Sequence, residues 1–175
     1  MGQVNLMAGK TRSRRSAALG SIAFSLTPIT VALLVPWLLT GYESGDGLWW
    51  PLRAAGLLLF LPGLYVISHA FWRFVVEGFG TPLPAAPPQR LVVGGFYRYV
   101  RNPMYVAILA MVLGQTLMLV RPVLLVYAAI VWGIVGSYVR WREEPVLLRR
   151  FGADYDRYRH AVPAWIPRLH PWHPG

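Results

Sequence analysis

Four apolar runs constrain this chain more than any other feature. They cover about residues 16–40, 48–74, 103–120 and 122–141. Each is close to the length that crosses the hydrocarbon core of a bilayer as a helix. In that core the backbone must satisfy its own hydrogen bonds, so apolar runs of this kind become helices. The sequence therefore predicts an all-α integral membrane protein of one domain, residues 1–175, with about four transmembrane helices. The chain is 55% hydrophobic yet carries a formal charge of +10. Such a charge alone suggests nucleic acid as a partner, but the apolar runs decide for a membrane. There is no cysteine, which excludes disulfides, thiolate metal ligands and a cysteine nucleophile.

The basic residues give the orientation. Fifteen of the 17 Lys and Arg lie in the N-terminal tail, the 73–101 region and the C-terminal tail, and only Arg53 and Arg121 lie elsewhere. The positive-inside rule then places both termini in the cytoplasm. Arginine outnumbers lysine 16 to 1 and Ala, Gly and Pro are abundant, a composition that points to a bacterial inner membrane.

The basic tail 1–15 leads into the first run. A signal peptide competes with a retained span here, but the run is long for a signal core and has no clear small-x-small cleavage site. A bend is expected at Pro28 or Pro36. The polar turn GYESGDG, 41–47, precedes Trp49 and Trp50, which suit an interfacial belt. Residues 16–76 thus hold two N-terminal spans. GFGTPLPAAPPQRL, 78–91, is too rich in Pro and Gly for a helix. Only Val120, Arg121 and Pro122 separate the third and fourth runs, which predicts a tight helical hairpin. After Trp141 the chain turns polar, and Leu147, Leu148, Phe151, Tyr155 and Tyr158 recur at helical spacing. That pattern predicts one or two amphipathic helices on the cytoplasmic membrane face.

Two polar clusters then meet on that face. The first is GGFYRYVRNPMY, 94–105, where Asn102 and Pro103 suit the cap and first position of a helix. The second is Glu143 and Glu144. Adjacent carboxylates at a membrane border are costly unless a cation is near. Arg140 lies one turn back, and Pro145 forces a kink or a restart. The pair reads either as a solvated ion-pair patch or as an acidic site for a cationic ligand. His69, Arg73 and Glu77 share one helix face, as helix-end ion pairing or as pocket lining. His160, His170 and His173 read as surface residues, and no metal site is expected.

The strings GTPLPAAPPQRLVVGGFYRYVRNPMY and EEPVLLRRFGADYDRYRHAVPAWIP resemble the isoprenylcysteine carboxyl methyltransferases and related phospholipid methyltransferases. The resemblance covers about 78–168 and rests on RxPxY, then EE, then FGxxYxxY. It implies an integral membrane methyltransferase using S-adenosylmethionine, with the cofactor-binding region in 77–168. The family's cofactor segment falls on Gln89, Arg90, Leu91 and Val92, and its tyrosine on Tyr97. The RxPxY core falls on Asn102, Pro103, Met104 and Tyr105, and the first acid on Glu143. Arg140 and Glu144 are left as catalytic candidates near the acceptor. Two positions depart from the pattern. The family usually has His at Asn102, and its animal carboxyl methyltransferases have Arg where Val139 stands.

The chemistry of that cofactor suits these residues. Its ammonium matches a carboxylate such as Glu143, and its sulfonium and adenine match aromatic faces such as Tyr97 or Tyr105. The acceptor implied is lipophilic: a prenylated thiol or carboxylate, or a lipid amine. Two rival readings stand beside this one. A sterol-type NADPH-dependent membrane reductase shares RxPxY but commonly has an acid soon after the tyrosine, where Val106, Ala107 and Ile108 stand. A non-catalytic protein retaining the fold is the other.

Overall fold

The computed structural model describes residues 26–45, 50–76 and 91–173. The basic tail, the start of the first apolar run, Trp49, Glu77, the 78–90 segment with Gln89 and Arg90, and the side chain of Arg73 lie outside the described residues. Those described are helical, with no strand among them. Helix α1 is Leu26–Thr40, α2 is Trp50–Val76, α3 is Pro103–Leu119, α4 is Val123–Tyr138 and α5 is Glu144–Ala161. Trp50–His69 and Val123–Ala161 are long and apolar enough to cross a membrane, and α1 and α3 are shorter apolar helices.

Helices α2 and α3 make the tightest pairing, because glycine lets their backbones touch. A Cβ on Gly56 would sit 2.5 Å from the Gly114 carbonyl oxygen, and one on Gly114 would sit 2.6 Å from that of Gly56. Two turns along, a Cβ on Gly63 would sit 2.8 Å from the Ala107 carbonyl. The seven-residue spacing keeps both contacts on one stripe of each helix. In lipid the hydrophobic effect does not drive helices together, so close van der Waals approach over small residues takes its place.

Proline shapes two of the helices in the same way. A π turn spans Thr30–Leu34, two residues short of Pro36. A second spans Val139–Glu143, two residues short of Pro145. Proline lacks an N–H and crowds the carbonyl four residues back, and one wider turn relieves that crowding. In α1 the Val35 N–H reaches back to the Thr30 oxygen, so the carbonyls of Val31 and Ala32 lose their main-chain donors. Tyr127 Oη donates to Val31 at 2.8 Å and Gln115 Nε2 donates to Ala32 at 2.7 Å. The bend expected at Pro28 or Pro36 is thus a π turn ahead of Pro36. The restart expected at Pro145 is likewise absorbed: α4, the π turn and α5 follow without a gap.

The interruption comes at Gly152, whose φ of 53° and ψ of −126° break α5 inside the FGxxYxxY string. This backbone conformation is practically glycine's alone. Around it Leu147, Phe151, Tyr155 and Tyr158 pack against Leu91, Val93, Val162 and Trp172. Part of the apolar face of α5 is thus covered by the chain's own loop and tail, while Val146 and Leu148 stay exposed.

Candidate functional site

The predicted 94–105 and 143–144 clusters do meet. Gly95–Arg98 forms a 3-10 turn, and Asn102 leads into α3 with Pro103 at its start. The loop is fixed by the tail that passes over it. Arg101 N–H donates to Pro163 O at 2.9 Å, Arg168 N–H to Tyr99 O at 2.9 Å, and Trp172 N–H to Arg98 O at 2.9 Å. Arg98 Nε returns to Trp172 O at 2.8 Å, and Tyr158 Oη donates to Tyr97 O at 2.7 Å. Asn102 does not cap α3 with its side chain. Its Nδ2 donates to Ala164 O at 3.1 Å instead, because the tail brings a carbonyl acceptor within reach.

Helix α3 then carries Tyr105 to the second cluster. Tyr105 Oη donates to Glu143 Oε1 at 2.9 Å. Arg101, one turn earlier, donates through Nη1 to Glu144 Oε1 at 2.5 Å and to Tyr155 Oη at 3.3 Å. The two acids are therefore separated in role. Glu144 has its cation inside the chain. Glu143 is half-buried and forms no ion pair among the described residues. It lies past the apolar stretch of α4. Burial raises its pKa, the Tyr105 hydrogen bond opposes that rise, and the neighbouring Glu144 adds to it. Burial and the charge of Glu143 push the Tyr97 phenol up to about 12, so it stays neutral at physiological pH.

The remaining predicted residues divide. Pro103 is buried, while Met104, Tyr97, Leu91 and Val92 are half-buried. Leu91 packs in the Tyr155–Tyr158 cluster, which gives it a structural task. Arg140 is exposed and forms no ion pair among the described residues. Glu144, expected to pair with Arg140 or the acceptor, pairs with Arg101, since the π turn and the buried Val139 set Arg140 on an outer face. Phe96 meets His69 and Tyr65 edge-on at 5.2 and 6.0 Å, which ties the site to the end of α2. Arg101 and Tyr155, which hydrogen-bond each other beside Glu144, were not among the expected site residues. Arg101 is the first residue of RxPxY itself, so its signal was present in the pattern.

The site suits the zwitterionic head of an amino acid. Glu143 is a partly desolvated carboxylate without a cation among the described residues. Arg101 Nε is buried without an acceptor among the described residues. An ammonium and a carboxylate would satisfy these two groups. No cluster of His, Asp or Glu suited to a metal occurs among the described residues.

The phospholipid methyltransferase family model matches residues 52–154, more than half of the chain and all of Arg101, Tyr105, Glu143 and Glu144. This chain belongs to the phospholipid methyltransferase family. It is also similar to the protein-S-isoprenylcysteine O-methyltransferase of Schizosaccharomyces pombe, 36% identical over 80 residues, covering 45% of this chain and 34% of that protein. The protein of the same name from Rattus norvegicus is 30% identical over 152 residues, covering 79% of this chain and 50% of that one. The chain thus spans half or less of the length of these relatives. No solved structure matches.

Proposed function

We propose that this chain is an S-adenosylmethionine-dependent methyltransferase acting on a lipophilic, membrane-borne acceptor. The observation that carries the reading is Glu143: a half-buried carboxylate, oriented by Tyr105, with no cation partner among the described residues. Glu143 would hold the ammonium of the cofactor and Arg101 Nε its carboxylate. Tyr97 and Tyr105 would offer neutral aromatic faces to its cationic part. When bound, the cofactor supplies an electrophilic methyl group on sulfur. The chain's own contribution is alignment and exclusion of water. Tyr105 fixes Glu143, Arg101 fixes Glu144, and the tail clamps the loop that carries Arg101 and leads into the helix of Tyr105. Glu144 is therefore a positioning residue in this reading, and Arg140 has no place in it.

The membrane arrangement proposed is four spans, α1 to α4, with both termini cytoplasmic. The 15-to-2 distribution of basic residues supports it. The names of the relatives favour a prenylated cysteine carboxylate as acceptor, and the family name favours a lipid amine. Purified protein given labelled S-adenosylmethionine with a farnesylated cysteine analogue, or with phosphatidylethanolamine vesicles, should methylate one of them. Absence of S-adenosylmethionine binding by calorimetry, with NADPH binding in its place, would overturn the proposal in favour of a reductase.

A further inference from the structure

The tail residues 164–169 turn back toward α4. Trp165 meets Trp132 edge-on with ring centroids 6.4 Å apart. Its Cζ2 lies 3.8 Å from where a Cβ on Gly136 would be. Trp132 is six residues inside the Tyr138 end of α4, about 9 Å along the axis at 1.5 Å per residue. The Trp165 ring therefore reaches the level of the apolar part of that helix, which exposes Trp132 on the side of Trp165 and Val126, Ile130 and Ile134 elsewhere around its surface. Directly after it, Ile166 is 79% and Leu169 91% exposed. This is not a loose end. Pro163, Ala164, Arg168 and Trp172 are all hydrogen-bonded to the 98–102 loop.

We infer that residues 165–169 form a wedge seated in the boundary between hydrocarbon and headgroups of the bilayer, beside the entrance to α3. Continuity with the lipid-facing side of α4 decides for lipid as the occupant. A stretch rigidly held at that depth, presenting two bare aliphatic side chains next to a tryptophan, has the chemistry of an interfacial anchor. Since the same tail clamps Arg101 and Asn102, the wedge couples the bilayer surface to the loop of the site. The inference rests on the reading of α4 as a span, but not on the methyl-transfer reaction.

The natural absence of cysteine makes the test direct. Single cysteines at Ile166, Val126 and Arg157 would carry a nitroxide label in full-length protein reconstituted into phosphatidylcholine vesicles. Collision with oxygen, which concentrates in hydrocarbon, is compared with collision with a polar nickel chelate. The Ile166→Cys label should favour oxygen over the chelate, between the values at Val126→Cys and Arg157→Cys. An Ile166 label as open to the chelate as that at Arg157, with Val126 still protected, would overturn the wedge. Low access to both probes at Ile166 would also overturn it and would indicate a protein contact. If the Val126 label is itself open to the chelate, α4 does not span, and the wedge fails together with that reading.

Discussion

Tyr105 and Glu143 are 38 positions apart in the chain and share a hydrogen bond of 2.9 Å. The bond joins the first turn of α3 to the π turn that ends α4. It holds one carboxylate in place without neutralising it. Glu143→Gln keeps the shape and removes the charge. A charge-assisted hydrogen bond is worth roughly 1.5–3 kcal/mol, so the substitution should weaken S-adenosylmethionine binding about 10- to 150-fold. Calorimetry in detergent measures it. Unchanged affinity in a folded sample would remove Glu143 from the site.

Glu144 should behave differently from its neighbour. Its partner Arg101 is 15% exposed, and removing one member of a largely buried pair strands the other charge. Glu144→Gln should lower stability by roughly 2–4 kcal/mol, visible as an earlier thermal transition in detergent. Any affinity loss should then be reduced at lower temperature, where the fold is intact. A Glu144→Gln protein as stable as the wild type would show that Arg101 does not depend on it.

The pH response follows from the raised pKa of Glu143. In the free protein a raised carboxylate pKa means that the folded state holds the proton more tightly. Its burial therefore destabilises the fold in full above the folded pKa, and that cost is relieved as pH falls from the folded pKa to the unfolded one. Ligand binding runs the other way, because the ammonium needs the ionised form. Affinity for S-adenosylmethionine should fall about tenfold per pH unit once pH drops below the pKa of Glu143, starting above the usual glutamate range. In Glu143→Gln that phase should be absent. The same slope in both proteins would assign the titration elsewhere.

The α2–α3 pairing should tolerate no side chain at its glycines. Gly56→Ala would place its Cβ 2.5 Å from the Gly114 oxygen, which forces the backbones apart. The cost should be roughly 1–3 kcal/mol. Gly133→Ala, where nothing lies within 4 Å, is the control and should leave the thermal transition unchanged. Equal transitions for the two variants would mean that the helices do not touch there.

Topology can be read independently of activity. Reporter fusions at Gly45 and at Gly175 should report opposite sides of the membrane, as four spans with cytoplasmic termini require. The same side for both would refute that arrangement.

Much of this was legible along the chain. The helices follow from apolar runs and prolines, since backbone hydrogen bonding in lipid leaves a helix as the outcome for such segments. The RxPxY and EE strings, read through the family resemblance, pointed to two polar clusters, and the fold brings these together through Tyr105 on Glu143 and Arg101 on Glu144. What only the tertiary structure decided is which groups pair. Arg140 is three and four residues from the two acids, and local spacing made it their natural partner. Arg101, more than 40 positions away, holds Glu144 instead. The π turn before Pro145 changes the facing of side chains by an amount no regular helical count contains. In the same way, Asn102 serves the Ala164 carbonyl rather than its own helix, because the returning tail supplies an acceptor that sequence order keeps 62 residues away. Local hydrogen bonding and hydropathy act between near neighbours and can be read from sequence. Pairing across the chain depends on where the loops return, and that is set by the packing of the whole.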